Sequence, residues 1–431
     1  ARETAEKIAS MEDALVVLGY ATPSLEAYYR AKQGIYMLYE LTKRQAGGEL
    51  PAVHTVDLRE ELKEGNRSVF SRRLHGLMED RLGKKEQVIL FLNRRGYAGF
   101  VSCRACGHVM KCPHCDVSLS EHKGGRLVCH YCGYEQPAVK ACPSCGSKYI
   151  LGFRAGTQQI EEAVLREFPG TRVLRMDADT TRTKDSYEEI LGAFANGEAD
   201  ILVGTQMIVK GHDFPNVTLV GILAADMSLH VGDYRSGERT FQLLTQAAGR
   251  AGRSGKSGEV VIQTYDPDHY SIVYAAKQDY KGFYEEEILY RKMLAYPPAA
   301  HMLAILTAAR TEKEGLALAG EIATLVRNME EGSREGREYA ENRLYVIGPA
   351  PASVGKINDV YRFMLYVKHG EYGRLVEVKN RVEAFLEERE EKADKESETV
   401  ENDVEKKAEK KERVQRGKET VQFDFDPMSA Y

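Results

Sequence analysis

All eight cysteines of this 431-residue chain fall between Cys103 and Cys145, and they fall as four Cys-x-x-Cys pairs. The pattern is Cys103-x2-Cys106-x5-Cys112-x2-Cys115-x13-Cys129-x2-Cys132-x9-Cys142-x2-Cys145. A Cys-x-x-Cys turn directs two thiolates at one tetrahedral ion, and two such turns complete a four-sulfur site closed to water. Glycine follows Cys106, Cys132 and Cys145 directly, which suits a tight knuckle. A reducing compartment argues against disulfides, and a redox dithiol does not come as four sets in so short a stretch. The spacing is not that of iron–sulfur ligation. We therefore expect two structural Zn2+ ions. Sequential and nested pairings both satisfy the count. The five-residue connector after Cys106 is short for one ribbon, whereas the 13-residue connector fits a hairpin, SLSEHKGGRLV. This favours nesting: Cys103, Cys106, Cys142 and Cys145 at one ion, Cys112, Cys115, Cys129 and Cys132 at the other. His108, His114 and His130 are then surplus and are read as surface residues.

The chain is long enough for two or three cores. Its 43% hydrophobic and 29% charged residues are those of a soluble globular protein. No apolar run suggests a membrane span, and the opening ARETAEKIASMED is a polar helical pattern, not a secretory signal. A cytoplasmic protein without a membrane partner is expected, one that opens in mid-helix as if continued from a longer chain. The net charge of −5 argues against wholesale capture of nucleic acid but leaves local basic clusters free to do it. From Arg381 to Thr420 more than half of the residues are charged, and this stretch reads as a solvated, partly helical insertion.

Residues 14–18 (ALVVL) have a short buried-strand pattern, followed after Pro23 by helical spacing. Strands are expected at 53–58 and 87–93, with a helix (SVFSRRLHGLMEDRL) between them. Past the cysteines, helices at 158–167, 186–195 and 240–247 alternate with strands at 172–176, 200–204, 218–224 and 259–264. Such alternation makes an α/β fold, a parallel sheet with helices on both faces. From about residue 290 a Pro-Pro break, two strands and a last strand at 421–425 describe a separate α+β domain.

Two segments carry charge chemistry. TFQLLTQAAGRAGRSG places Gln246, Arg250 and Arg253 in the form Q-x-x-G-R-x-G-R, where Gly249 and Gly252 allow close backbone approach. Phosphoryl transfer needs positive charge at the γ-phosphate, and Arg250 and Arg253 suit that role with Gln246 beside them. Upstream, ADILVGTQMIVKGHDFPNVTLVGILAAD ends a strand at Thr205-Gln206 and continues into a loop with Gly211 and Asp213. Strand C-terminal ends are where α/β sheets put their ligands. Thr205 and Gln206 are candidates for a nucleic-acid phosphate, Gly211 and Asp213 for ATP.

The sequence resembles the bacterial primosomal protein N-prime (PriA) family, replication-restart DNA helicases of superfamily 2. The resemblance is carried by GYATPSLE at 19–26, FLNRRGY at 91–97, the eight cysteines, GTQMIVKGHDFPNV at 204–217, DYRSGERTFQLLTQAAGRAGR at 233–253, RKMLAYPP at 291–298, GPAPA at 348–352 and FDFDP at 423–427. It covers nearly the whole chain. It implies an ATP-driven, Mg2+-dependent 3′-to-5′ helicase that recognises stalled forks and starts primosome assembly, with two zinc ions in nested pairing. It implies forked DNA, single-stranded DNA-binding protein and primosome or helicase-loading proteins as partners, and DNA contact at Arg94 and Arg95. The fold it implies is a RecA-like second helicase lobe carrying a two-zinc insertion, plus the C-terminal domain. The corresponding domains are 1–58, the end of a first lobe; 59–290, the second lobe with the insertion at 103–146; and 291–431, with a charged insertion at about 388–419.

Two departures stand out. No G-x-x-x-x-G-K-[ST] phosphate loop occurs in the 431 residues, and Tyr20 stands where the family has a small hydroxyl residue. One reading is thus part of a helicase that hydrolyses no ATP on its own. A second is a non-catalytic zinc-containing module that binds DNA or primosome proteins, and a third is another superfamily 2 motor with a zinc insertion.

Overall fold

The structure is a computed structural model. It describes residues 2–41, 50–92, 101–113, 118–122, 125–129, 133–152, 156–177, 180–181, 184–205, 208, 214–229, 233–252, 256–331, 343–399 and 419–428. The chain divides into a small unit, Ala1–Thr42, and a large one, Lys43–Tyr431.

The small unit holds helices α1 (Arg2–Met11) and α2 (Leu25–Lys32). Ser24 caps α2, its hydroxyl accepting from the Ala27 N–H at 3.3 Å. Tyr36 ties the two helices, donating to Glu6 at 2.6 Å and accepting from Arg30 at 2.8 Å. The strand expected at 14–18 does not form. Leu15 is 97% and Val17 92% exposed, and a strand without a ladder partner has no means of satisfying its backbone. The helix expected after Pro23 is also short, because the chain turns at Gly34 with φ +76°.

The large unit is built on a six-stranded, wholly parallel sheet. Its strands are β1 (Ala52–Asp57), β2 (Gln87–Leu92), β8 (Val173–Met176), β9 (Ile201–Gly204), β10 (Val217–Leu223) and β11 (Glu259–Thr264). They lie in the order β1-β11-β10-β2-β9-β8. Every residue of β2 and β10 is buried, which is why both read as unbroken apolar runs. Helices α4 (Arg72–Gly83) and α5 (Thr157–Glu167) cover one face through Leu74, Met78, Ile160 and Val164. On the other face the Gln87 amide donates to the carbonyls of Phe194 (2.7 Å) and Ala199 (2.9 Å), tying in α6 (Lys184–Ala195). Helix α7 (Ser236–Ala248) packs against β10. A short α3 (Leu58–Lys63) follows β1. One boundary is corrected here: β1 falls within 1–58, assigned from sequence to a first lobe, yet it pairs with β11 over six positions and belongs to this sheet.

After β11 come two helices missed in the sequence, α8 (Tyr270–Lys277) and α9 (Tyr280–Met293). The C-terminal sheet is antiparallel, in the order β13-β14-β12-β15, from β12 (His301–Ala309), β13 (Tyr345–Ile357), β14 (Val360–His369) and β15 (Thr420–Phe425). One face (Leu303, Ile305, Leu365, Val367) packs on α10 (Glu312–Glu331) and α11 (Tyr372–Thr399). The alternate residues Met302, Ala304, Leu306, Met364 and Tyr366 pack on the cysteine module, in one cluster with Cys103, Cys112, Leu119, Leu127, Cys129, Cys142 and Ile150. The module therefore shares a core with the C-terminal domain, where the sequence reading had treated it as an insertion on the lobe alone.

A buried cation joins the lobe to that domain. Arg291, at 1% exposure, donates to Glu287 (2.7 Å), Glu238 (3.3 Å) and the Pro297 carbonyl (2.6 Å). Its guanidinium stands 4.8 Å from the Tyr234 ring, and Tyr234 stacks on Tyr296 at 4.6 Å. Lys368 of β14 covers Tyr296 at 3.4 Å. Replacing Arg291 by Met leaves two carboxylates buried without their cation, and a loss of about 3–5 kcal/mol is expected in urea unfolding. The triple change Arg291→Met, Glu287→Gln, Glu238→Gln should recover much of it. A single-variant loss below about 1 kcal/mol would refute the role given to this cluster.

Candidate metal centre and phosphate-facing edges

The same pair of closing hydrogen bonds recurs at three of the four Cys-x-x-Cys turns. The Cys103 N–H donates to the His108 carbonyl (2.8 Å) and the Gly107 N–H returns to the Cys103 carbonyl (2.8 Å). Cys142 and Gly146 repeat this with Ser147 at 2.9 Å and 2.9 Å, and Cys129 and Gly133 with Tyr134 at 2.8 Å and 3.0 Å. Each closing glycine has positive φ: +77° at Gly107, +79° at Gly133 and +71° at Gly146. At Gly107 there is a second constraint, since a Cβ would lie 2.5 Å from the Tyr265 carbonyl oxygen.

The turns at Cys103 and Cys142 are brought together by β3 (Val101–Cys103) pairing antiparallel with β7 (Ile150–Gly152). The Sγ atoms of Cys103 and Cys145 are 3.6 Å apart, as are those of Cys106 and Cys142, and all four lie within 4.8 Å of one another. Zn–S bonds of about 2.3 Å in a tetrahedron put sulfurs about 3.8 Å apart, so these four fit zinc. This is the outer set of the nested arrangement. Burial pushes the Cys106 thiol up to about 12. At Cys142 burial acts the same way, but the N–H groups of Cys145 and Ser144 outweigh it and hold the thiol at about 7. Metal binding must therefore displace protons from this cluster.

For the inner set, β4 (Ser120–His122), β5 (Arg126–Val128) and β6 (Glu135–Pro137) form an antiparallel sheet, with the expected hairpin between β4 and β5. Cys112 and Cys129 are buried in the shared core. Cys115 and Cys132 lie outside the described residues, as do His114 and His130. His108, expected at the surface, is half-buried.

The first knuckle rests on the C-terminal edge of the parallel sheet. Arg59, paired with Asp57 at 2.6 Å, donates to the Cys106 carbonyl at 3.4 Å. Asp226, fully buried just after β10, accepts from the Thr264 hydroxyl and from the N–H groups of Tyr265 (2.8 Å) and Asp266 (3.1 Å), fixing the loop under Gly107. Burial raises its carboxyl to about 6 against those hydrogen bonds. Sequence reasoning missed Asp226 and Arg59; an acidic residue directly after a wholly apolar strand was the available signal.

The other expected site residues occupy two edges. Thr205 follows β9 at the C-terminal edge, half-buried, its N–H donating to the Met176 carbonyl at 3.3 Å. Gln246 and Arg250 are at the opposite edge, where α7 ends at Ala248. Gln246 is exposed and Arg250 half-buried, the latter lying in a turn beyond the helix with its N–H on Ala247 at 3.0 Å. The helix thus ends between Gln246 and Arg250. Gly252, with φ +69°, donates to the Val217 carbonyl at the start of β10 (3.1 Å), and a Cβ there would lie 2.4 Å from Gly258. Gly252 is the close approach expected; Gly249 has room. The length of β10 separates the two edges by roughly 20 Å, at about 3.3 Å per residue. Arg94, Arg95, Gln206, Gly211, Asp213 and Arg253 lie outside the described residues. No helix among the described residues is long and apolar enough to cross a membrane.

Comparison with known proteins gives the same division. Residues 112–137 match the PriA DNA helicase Cys-rich region (CRR) domain, 146–255 the helicase conserved C-terminal domain, and 292–428 the primosomal protein N C-terminal domain. The replication restart protein PriA of Bacillus subtilis is 47% identical over 371 residues, which is 86% of this chain and 45% of that protein. That of Synechocystis is 42% identical over 387 residues, 87% of this chain and 45% of that protein. That of Chlamydia pneumoniae is 38% identical over 372 residues, 85% and 48%. The chain spans about half the length of the curated relatives it matches. Over the part that it spans, the chain belongs to the family of the replication restart protein PriA.

Proposed function

We propose that this chain supplies the second motor lobe, the zinc module and the C-terminal domain of an ATP-dependent 3′-to-5′ DNA helicase. That helicase acts on stalled or abandoned replication forks and starts primosome assembly for replication restart. The observation that carries this reading is the 47% identity to a replication restart protein over 371 residues, helicase and cysteine regions included. ATP and Mg2+ sit between this lobe and a first lobe lying in the remainder of the family's length. Gln246, Arg250 and Arg253 face the γ-phosphate, with Gly211 and Asp213 completing the nucleotide site. Thr205 and Gln206 hold DNA phosphates from the opposite edge, and Arg94 and Arg95 add further DNA contacts. A division of labour between edges is supported by the roughly 20 Å between them. The domain limits we propose are those read from sequence, with the second lobe beginning at β1. Single-stranded DNA-binding protein and helicase-loading proteins are the proposed partners, in the cytoplasm.

Two structural zinc ions are proposed, in nested pairing. Metal analysis should return about two zinc per chain. The double variant Cys103→Ser, Cys142→Ser separates the pairings: it should keep one zinc if they are nested, because both residues serve one ion, and none if they are sequential. Iron, or no zinc in that variant, would sink the nested two-zinc reading.

The chain alone should turn over no ATP in a steady-state assay with single-stranded DNA. In the full-length protein, Arg250→Ala or Arg253→Ala should slow DNA-stimulated hydrolysis by about 10³–10⁵-fold with fork affinity nearly unchanged. Turnover by the isolated chain would favour a different assignment.

A further inference from the structure

A cavity of about 720 Å³ opens where the zinc module, the parallel-sheet lobe and α9 meet. Gly107 to Lys111 form one wall, Asp233, Asp266 and Asp268 a second, and Glu286, Tyr290 and Leu294 of α9 the third. None of the residues given a role in metal, nucleotide or DNA binding lines it.

Its charge identifies what it can hold. Five carboxylates line it (Asp233, Asp266, Asp268, Glu286, Glu287) against two cations, Lys111 and Arg291. Arg291 is committed to Glu287, and Asp233 is paired with Arg239 at 2.5 Å. Asp266 and Asp268 make no ion pair among the described residues. His269, which also lines the cavity, adds no positive charge near neutral pH, because burial and then Lys111 push it down to about 4. Phosphate is excluded from such a wall, so the cavity is no part of a DNA or nucleotide path. Tyr290, stacked on Tyr270 at 5.3 Å and exposed, offers an aromatic surface that favours a cation.

Next to it lies an uncovered apolar stripe. Leu289 (56% exposed) and Met293 (72%) continue the α9 face that Tyr290 (42%) and Leu294 (44%) begin inside the cavity. Spacings of three and four residues keep these side chains together on the helix. A free polyamine would answer the carboxylates and leave this stripe in water. A polypeptide answers both.

We propose that this cavity is a docking site for a partner polypeptide, which inserts an arginine or lysine side chain between the carboxylates and tyrosines and lays a flanking apolar residue along Leu289 and Met293. The site is independent of the motor and zinc assignments.

The chain has no tryptophan, so a Trp-containing peptide reports its own binding by fluorescence. The probes are acetyl-Leu-Trp-Arg-Leu-amide and its Gln analogue, titrated into the zinc-loaded chain. The Arg peptide is expected to bind about tenfold tighter, the effect of one charge-assisted contact. The variant Asp268→Asn, Glu286→Gln, whose exposed and half-buried side chains leave the fold intact, should reduce that preference to about twofold or less. The variant Leu289→Ser, Met293→Ser should weaken both peptides alike. Equal binding of the two peptides, no saturable signal at millimolar peptide, or displacement by spermidine or a single-stranded oligonucleotide as readily as by the Arg peptide would overturn the proposal.

Discussion

The C-terminal sheet and the cysteine module hold each other in place through a single apolar core. Each leaves apolar surface open without the other: the module's strands are three residues long, and the sheet face away from α10 and α11 is covered by no helix among the described residues. Packing Met302, Leu306 and Met364 against Leu119, Leu127 and the buried thiols closes both at once. A four-sulfur site fixes the knuckles rigidly, which short strands cannot do by hydrogen bonding. Zinc at the outer cysteine set would therefore couple metal binding to the folding of this shared core.

Much of this was legible in the chain. The strands at 87–93, 200–204, 218–224 and 259–264 emerged within a residue or two of their expected limits, because doubly buried strands leave unbroken apolar runs. The outer cysteine set was legible too, since connector length is a geometric constraint that survives without a structure. The segment 14–18 has the same composition as those strands and forms none, because composition cannot supply a neighbour. Helices α8 and α9 were missed: the buried face of α9 runs through Phe283, Tyr284 and Ile288 but also carries Glu287 and Arg291, and these charges hide the apolar period. The run HMLAILTAA was read as a strand, but that both its faces need covering, one by helices and one by the cysteine module, was information already in it.

The site was less legible than the fold, for a physical reason. Gln246 and Arg250 could be proposed from sequence because the motif that suggests them is a run of adjacent residues. Asp226 and Arg291 could not, because each acts on groups far away in sequence: Asp226 on the loop after β11, Arg291 on Glu238 of another helix. A buried charge becomes intelligible only with its partners in view. Glu287 and Arg291, four residues apart in an otherwise apolar helical face, were the visible half of that cluster.

The parallel sheet has every residue of β2 and β10 buried, and the groups proposed to face ligands lie at its opposite ends. Close-packed interiors are stiff. A push delivered where Arg250 sits cannot be absorbed by bending β10 or by sliding it against β2; it arrives at the Thr205 end nearly undiminished. The lobe thus behaves as a push-rod rather than a spring, and any give in a machine built from it must lie in the joints between bodies.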